Sequence, residues 1–150
     1  MIRLVAMLGV VAALAVTVFA RPAHADFSAC ASAYAAKDPH QQIDLYTSCL
    51  KHGGLMRTDV AGAFTNRGYV YYQLGEIDKA LADFTSAIQY DPNWPTAYMD
   101  RASVEAGRGQ CAEAQADIKE ALKLAPRQKR YLDARDQLAA SCPIASKPPN

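Results

Sequence analysis

Residues 61–94 read AGAFTNRGYVYYQLGEIDKALADFTSAIQYDPNW, and residues 95–128 read PTAYMDRASVEAGRGQCAEAQADIKEALKLAPRQ. Laid on each other with a shift of 34, the two stretches agree at nine positions. Ala63 meets Ala97, Arg67 meets Arg101, Val70 meets Val104 and Gly75 meets Gly109. Ala80, Ala82, Asp83, Ala87 and Pro92 meet Ala114, Ala116, Asp117, Ala121 and Pro126. Small residues, turn glycines and terminating prolines recur in phase, which marks a structural repeat.

Each unit reads as two short helices. Val60, Phe64, Gly68, Tyr71 and Leu74 recur at three- and four-residue steps, the pattern of one buried helical face. Gly75 breaks that helix. Ile77, Ala80, Leu81, Phe84, Ala87 and Ile88 form a second face, which Asp91-Pro92-Asn93 stops. The next unit repeats the plan from Ala97 to Gly107, turns at Gly109, and runs from Cys111 to Leu124 before Pro126. Paired helices approach closely only where side chains are small, and Gly68, Ala80, Ala102 and Ala114 fill such places.

These residues resemble the tetratricopeptide repeat family, whose 34-residue pattern orders aromatic, small and proline positions in this way. Phe64, Gly68, Tyr71, Ala80, Phe84, Ala87 and Pro92 follow the pattern, as do Tyr98, Ala102, Ala114, Ile118, Ala121 and Pro126. Arg67 and Arg101 depart from it where the family usually has Leu, and Glu105 where it usually has an aromatic. The resemblance implies an all-α fold, a short right-handed α-solenoid of antiparallel helix pairs with a carboxy-terminal capping helix. It also implies contact with other proteins as the purpose.

Working outward, residues 26–60 read as a degenerate first helical pair. Ile43, Tyr46, Cys49 and Leu50 copy the spacing of Leu81, Phe84, Ala87 and Ile88 at an offset of 38, and the four extra residues fit a longer loop at His52-Gly53-Gly54. Residues 61–94 and 95–128 are the two full units. Residues 129–142 read as the capping helix, with Tyr131, Leu132 and Leu138 toward the core and Lys129, Arg130, Asp133, Asp136 and Gln137 on the wet side. Residues 143–150 read as a disordered polar tail.

At the amino end, Arg3, the uncharged run Leu4 to Ala20 and Ala23-His24-Ala25 form the tripartite pattern of a secretory signal covering residues 1–25, with cleavage before Asp26. The competing readings are an uncleaved anchor and a lipoprotein. Phe27-Ser28-Ala29-Cys30 is a poor lipobox, separated from the apolar run by Arg21 and Pro22. Cleavage removes Arg3 and Arg21, which takes 16 basic residues to 14 against 15 acidic ones. No basic patch for nucleic acid remains, and no membrane contact is expected after cleavage. Resemblance to small exported repeat proteins implies a bacterial envelope protein, periplasmic or secreted.

All four cysteines lie beyond the export pattern, and an even count in an exported chain favours disulfides. Residues facing each other across a helix pair lie at equal distances from the turn. The point midway between Cys30 and Cys49 falls beside Pro39, and that between Cys111 and Cys142 beside Pro126. The alternative Cys49–Cys111 centres on Ala80, inside a helix. The spacing therefore predicts Cys30–Cys49 and Cys111–Cys142. Cys49-x-x-His52, with Cys30 or His40, is a ligand-like spacing, but it lacks the paired knuckles of a structural metal site, so no metal is expected.

No constellation for catalysis stands out, and no cofactor is expected. Glu113 and Asp117 share a helix face, but Lys119, Glu120 and Lys123 beside them make that face read as mixed and solvated. The first helix of each unit should line a concave face. It carries Asn66, Tyr69, Tyr72 and Gln73 in the first unit and Met99, Asp100 and Ser103 in the second, with Ala31 and Tyr34 extending the strip. Rings, thioether and amides on a rigid surface suit an extended or helical peptide. The competing role for Tyr69 and Tyr72 is to seal one repeat against the next. A clamp for a carboxyl terminus is disfavoured, because Thr65 and Asp100 stand where cationic partners would be. A protein or peptide adaptor is the leading expectation. The alternative is a structural module, self-stacking through weak association or built into a larger complex.

Overall fold

The computed structural model describes residues 27–51 and 54–142, so the export pattern, residues 52–53 of the expected longer loop and the expected tail from residue 143 lie outside the described residues. Seven helices follow in order: α1 (Phe27–Ala35), α2 (Pro39–Lys51), α3 (Arg57–Gln73), α4 (Ile77–Tyr90), α5 (Pro95–Gly107), α6 (Cys111–Leu124) and α7 (Lys129–Ser141). Among the described residues there is no strand.

The punctuation is local chemistry. Asp38 accepts a bond from the Gln41 amide at 2.8 Å just before Pro39 opens α2, and Pro95 opens α5. Gly75 and Gly109 both take φ of 76°, and the amides of Glu76 and Gln110 reach back to the carbonyls of Tyr71 and Glu105, each at 2.9 Å. That six-to-one bond over a left-handed glycine closes α3 and α5 identically and aims α4 and α6 back along them.

Pairs α1–α2, α3–α4 and α5–α6 stack in sequence, and α7 packs on both α5 and α6. Among the first helices, α5 also touches both α3 and α7. The chain is an all-α helical-repeat solenoid. Its core is a row of clusters and not one centre: Ala29, Ala33, Tyr46, Cys49 and Ala63 at the amino end, Ala61, Ala87 and Ala97 between units, and Met99, Ile118, Tyr131 and Leu138 at the carboxy end. Phe84 is 1% exposed, and burying such a ring contributes about 2–3 kcal/mol.

The expectation of one buried face on α3 is corrected. Ala61, Thr65 and Gly68 are buried on one side and Ala63 and Val70 on the other, while Leu74 is exposed. A helix inside a stacked array touches its own partner, α4, and also α2 and α5, so its burial wraps around the axis.

Two disulfides staple the ends. Cys30 is bonded to Cys49 across α1–α2 and Cys111 to Cys142 across α6–α7, with Cα atoms 5.2 and 5.4 Å apart. Loops of this size gain about 3–4 kcal/mol each from the constraint on the unfolded chain.

Candidate functional site: a groove between first helices

Arg67 and Arg101 hold the units in register. Arg67 makes two parallel bonds to the Asp83 carboxylate, both 2.7 Å, and donates a third to Thr47 on α2 at 2.9 Å. Arg101 repeats this with Asp117 at 2.6 and 2.8 Å and with Thr85 on α4 at 3.2 Å. Each arginine thus ties its own helix pair to the second helix of the pair before. The carboxylate bonds raise both guanidinium pKa values, against the burial that lowers them. The same geometry corrects the solvated face assigned to Asp117, which is buried under Arg101. Glu105, in the place of Tyr71, crowds this pair. Burial first, and then the Asp117 charge, raise its carboxyl, and its Oε2 is buried without a hydrogen-bond partner.

With the pairs fixed, α3, α5 and α7 enclose a groove of about 550 Å³. Tyr69 and Tyr72 form one wall, 47% and 44% exposed. Met99, Asp100 and Ser103 form the floor, and Lys129, Arg130, Asp133 and Gln137 the far wall. The floor is less open than the sequence implied. Met99 is 4% and Asp100 9% exposed, and the Ser103 hydroxyl donates to the Met99 carbonyl at 3.0 Å. The Thr96 and Tyr131 hydroxyls, 3.0 Å apart, fasten α7 to α5.

Five of the seven residues read from the sequence as a binding strip come together here: Tyr69, Tyr72, Met99, Asp100 and Ser103. Asn66 lies instead in a second hollow of about 400 Å³ with Ala31, Tyr34 and Trp94, nearer the amino end. Burial raises the Tyr46 phenol there, and the nearby Asn66 amide opposes that shift. Gln73 is exposed on the same side of α3 and lines neither hollow.

Lys129, Arg130, Asp133 and Gln137, expected on the wet side of the last helix, are exposed there, and the groove takes them as its far wall. A third application of the 34-residue shift finds it: Tyr69, Ser103 and Gln137 are in register, as are Thr65, Met99 and Asp133.

Electrostatically the groove holds two ion pairs. Arg130 Nη2 donates to Asp100 Oδ1 at 2.9 Å, and Lys129 to both Asp133 oxygens at 2.9 and 2.6 Å. Burial pushes the Asp100 carboxyl up to about 6, with Arg130 opposing. No cluster of three or more His, Cys, Asp or Glu is placed to hold a metal among the described residues.

A solenoid of paired helices with a groove along its first helices defines the class of protein, and comparison with known proteins agrees. Residues 61–93 match the family model for the tetratricopeptide repeat. Heat shock protein STI1 of Saccharomyces cerevisiae is 27% identical over 107 residues, 71% of this chain and 18% of that protein. The chain thus spans less than a fifth of that curated relative. The Arabidopsis OM64 TPR domain superposes with a TM-score of 0.65 at 26% identity, covering 75% of this chain and 90% of that one. The second TPR domain of human RPAP3, solved in complex with the HSP70 peptide SGPTIEEVD, superposes at 0.67 with 21% identity, covering 79% and 98%.

Proposed function

We propose that this chain is a non-enzymatic adaptor that holds a peptide or a segment of a partner protein in the groove between α3, α5 and α7, and that it works in the bacterial envelope, periplasmic or secreted. The groove carries the proposal: two half-exposed tyrosines face a floor and wall of polar and charged groups on rigid helices. Aromatic rings give contact area at small entropic cost, and polar neighbours set orientation. A peptide in complex with the RPAP3 domain, which has the same fold, supports a peptide as the class of partner. The Arg3 to Ala25 pattern supports export, and two disulfides suit an oxidising compartment.

The test is affinity capture from envelope extract with the disulfide-bonded chain and its Tyr69→Ala/Tyr72→Ala variant. A partner retained by the parent and lost by the variant, with unchanged circular dichroism, supports the groove. Equal recovery by both rejects it.

A second reading, end-to-end association of copies, is favoured by α1. That helix carries no charged side chain, and its Tyr34 is 81% exposed, whereas α7 ends the other side in charges. Sedimentation that stays monomeric to millimolar concentration would remove it.

A further inference from the structure

We propose that the segment the groove takes is basic and extended, with one Arg or Lys side chain replacing Arg130 on Asp100. This deepens the adaptor reading and rests on it.

The two halves of the Arg130–Asp100 pair are unlike. Asp100 is short, nearly buried and fixed in α5 beside the buried Met99, so its carboxylate is a permanent part of the floor. Arg130 is a long side chain on α7 that stays 56% exposed while reaching it. It makes a single bond, to Oδ1, and no donor meets Oδ2 among the described residues. Arg67 and Arg101, the structural arginines, each grip both oxygens of their carboxylate. Arg130 is therefore held as an exchangeable occupant, and its seat is already shown to admit a guanidinium.

Exchange has a preferred sign. A ligand cation that displaces Arg130 releases a mobile charge into water and leaves Asp100 paired. A ligand carboxylate that captured Arg130 would leave Asp100 buried and uncompensated, the costly way to break such a pair. Lys129 offers an acidic ligand no better opening, because Asp133 one turn along already answers it. Tyr69 and Tyr72 line the opposite wall and stay half-exposed, so their rings are open to a guanidinium or ammonium and its stem.

The experiment titrates the disulfide-bonded chain at pH 7.5 with three capped peptides, each three repeats of Gly-Ser-Arg, Gly-Ser-Glu or Gly-Ser-Gln, read by amide chemical shifts. The Arg peptide should shift Tyr69, Tyr72 and Asp100 with a Kd at least about tenfold below that of the Gln peptide, the margin of a charge-assisted bond. Asp100→Asn should erase that margin, and Arg130→Gln should tighten the Arg peptide by about threefold by removing the competitor. Preference for the Glu peptide, or weaker binding of the Arg peptide by Arg130→Gln, makes Arg130 the anchor and overturns the proposal. Equal shifts in the groove from all three peptides overturn it too, but leave the groove as the working surface. No shift with any peptide overturns the proposal and counts against the groove as well.

Discussion

At the scale of single residues, the two repeats solve one packing problem in two ways. A Cβ on Gly68 would lie 2.8 Å from the Phe84 ring and 3.1 Å from Asp83 Cβ. In the second unit the corresponding pair is Ala102 and Ile118, where a smaller partner admits the methyl group. Gly68→Ala should therefore cost roughly 1 kcal/mol, as overpacking of 1–3 kcal/mol outweighs the helix propensity of alanine. Adding Phe84→Ile should recover most of that in thermal unfolding. If the double variant is less stable than Gly68→Ala alone, the trade is not local. Asp100 makes a second prediction. Burial lifts its folded pKa to about 6, above the ordinary 3.8 of an aspartate, so the protonated form is favoured by folding. The stability this gives is complete below about 4 and lost as pH rises through 6. Asp100→Asn mimics the protonated form and should raise stability at pH 7.5 by up to about 3 kcal/mol, with the gain vanishing near pH 4. A gain that persists at pH 4 would assign it to packing.

At the scale of elements, most boundaries were legible because they rest on short-range signals: Gly75 and Gly109, Pro39, and Asp91-Pro92-Asn93; α5 begins at Pro95, two residues before the Ala97 read from the sequence. The helix pairs followed from small residues in phase. What escaped was the sidedness of α3, and that the exposed side of α7 forms a wall of the groove. A single-face pattern assumes one neighbour, and α3 has several. The Arg67–Asp83 and Arg101–Asp117 ties were visible as identities at a shared spacing of 16, but spacing alone does not say that Arg reaches back to Thr47 or Thr85. The helix α7 continues the register of first helices, since Arg67, Arg101 and Arg135 align, as do Val70, Val104 and Leu138. Asp136, which is exposed, stands where Gly68 and Ala102 let a second helix close in. The hold of α7 on the stack includes the Cys111–Cys142 bond and the Gln115 donation to the Cys142 carbonyl at 2.9 Å. Replacing both cysteines with alanine should lower stability by about 3 kcal/mol and speed hydrogen exchange in α7 ahead of α3 and α4. Equal exchange along all helices would show that α7 does not depend on the bond.

At the scale of the whole molecule, each helix pair touches its neighbours in order, as quasi-one-dimensional stacking requires. The groove is a product of that stacking, because its walls come from three helices that no single repeat contains. Its tyrosine wall and floor were legible once the repeat was phased. The division of the strip into two hollows was not, since it depends on how Asn66 and Trp94 turn toward α1 and α2. The central claim is that contact with a partner falls on this composite surface. It is tested most directly by the amide spectrum of the chain with and without the partner recovered in the capture experiment. The largest shifts should fall on Tyr69, Tyr72, Met99, Ser103 and Gln137. Shifts concentrated on the outer sides of α4 and α6, with those five unmoved, would contradict it.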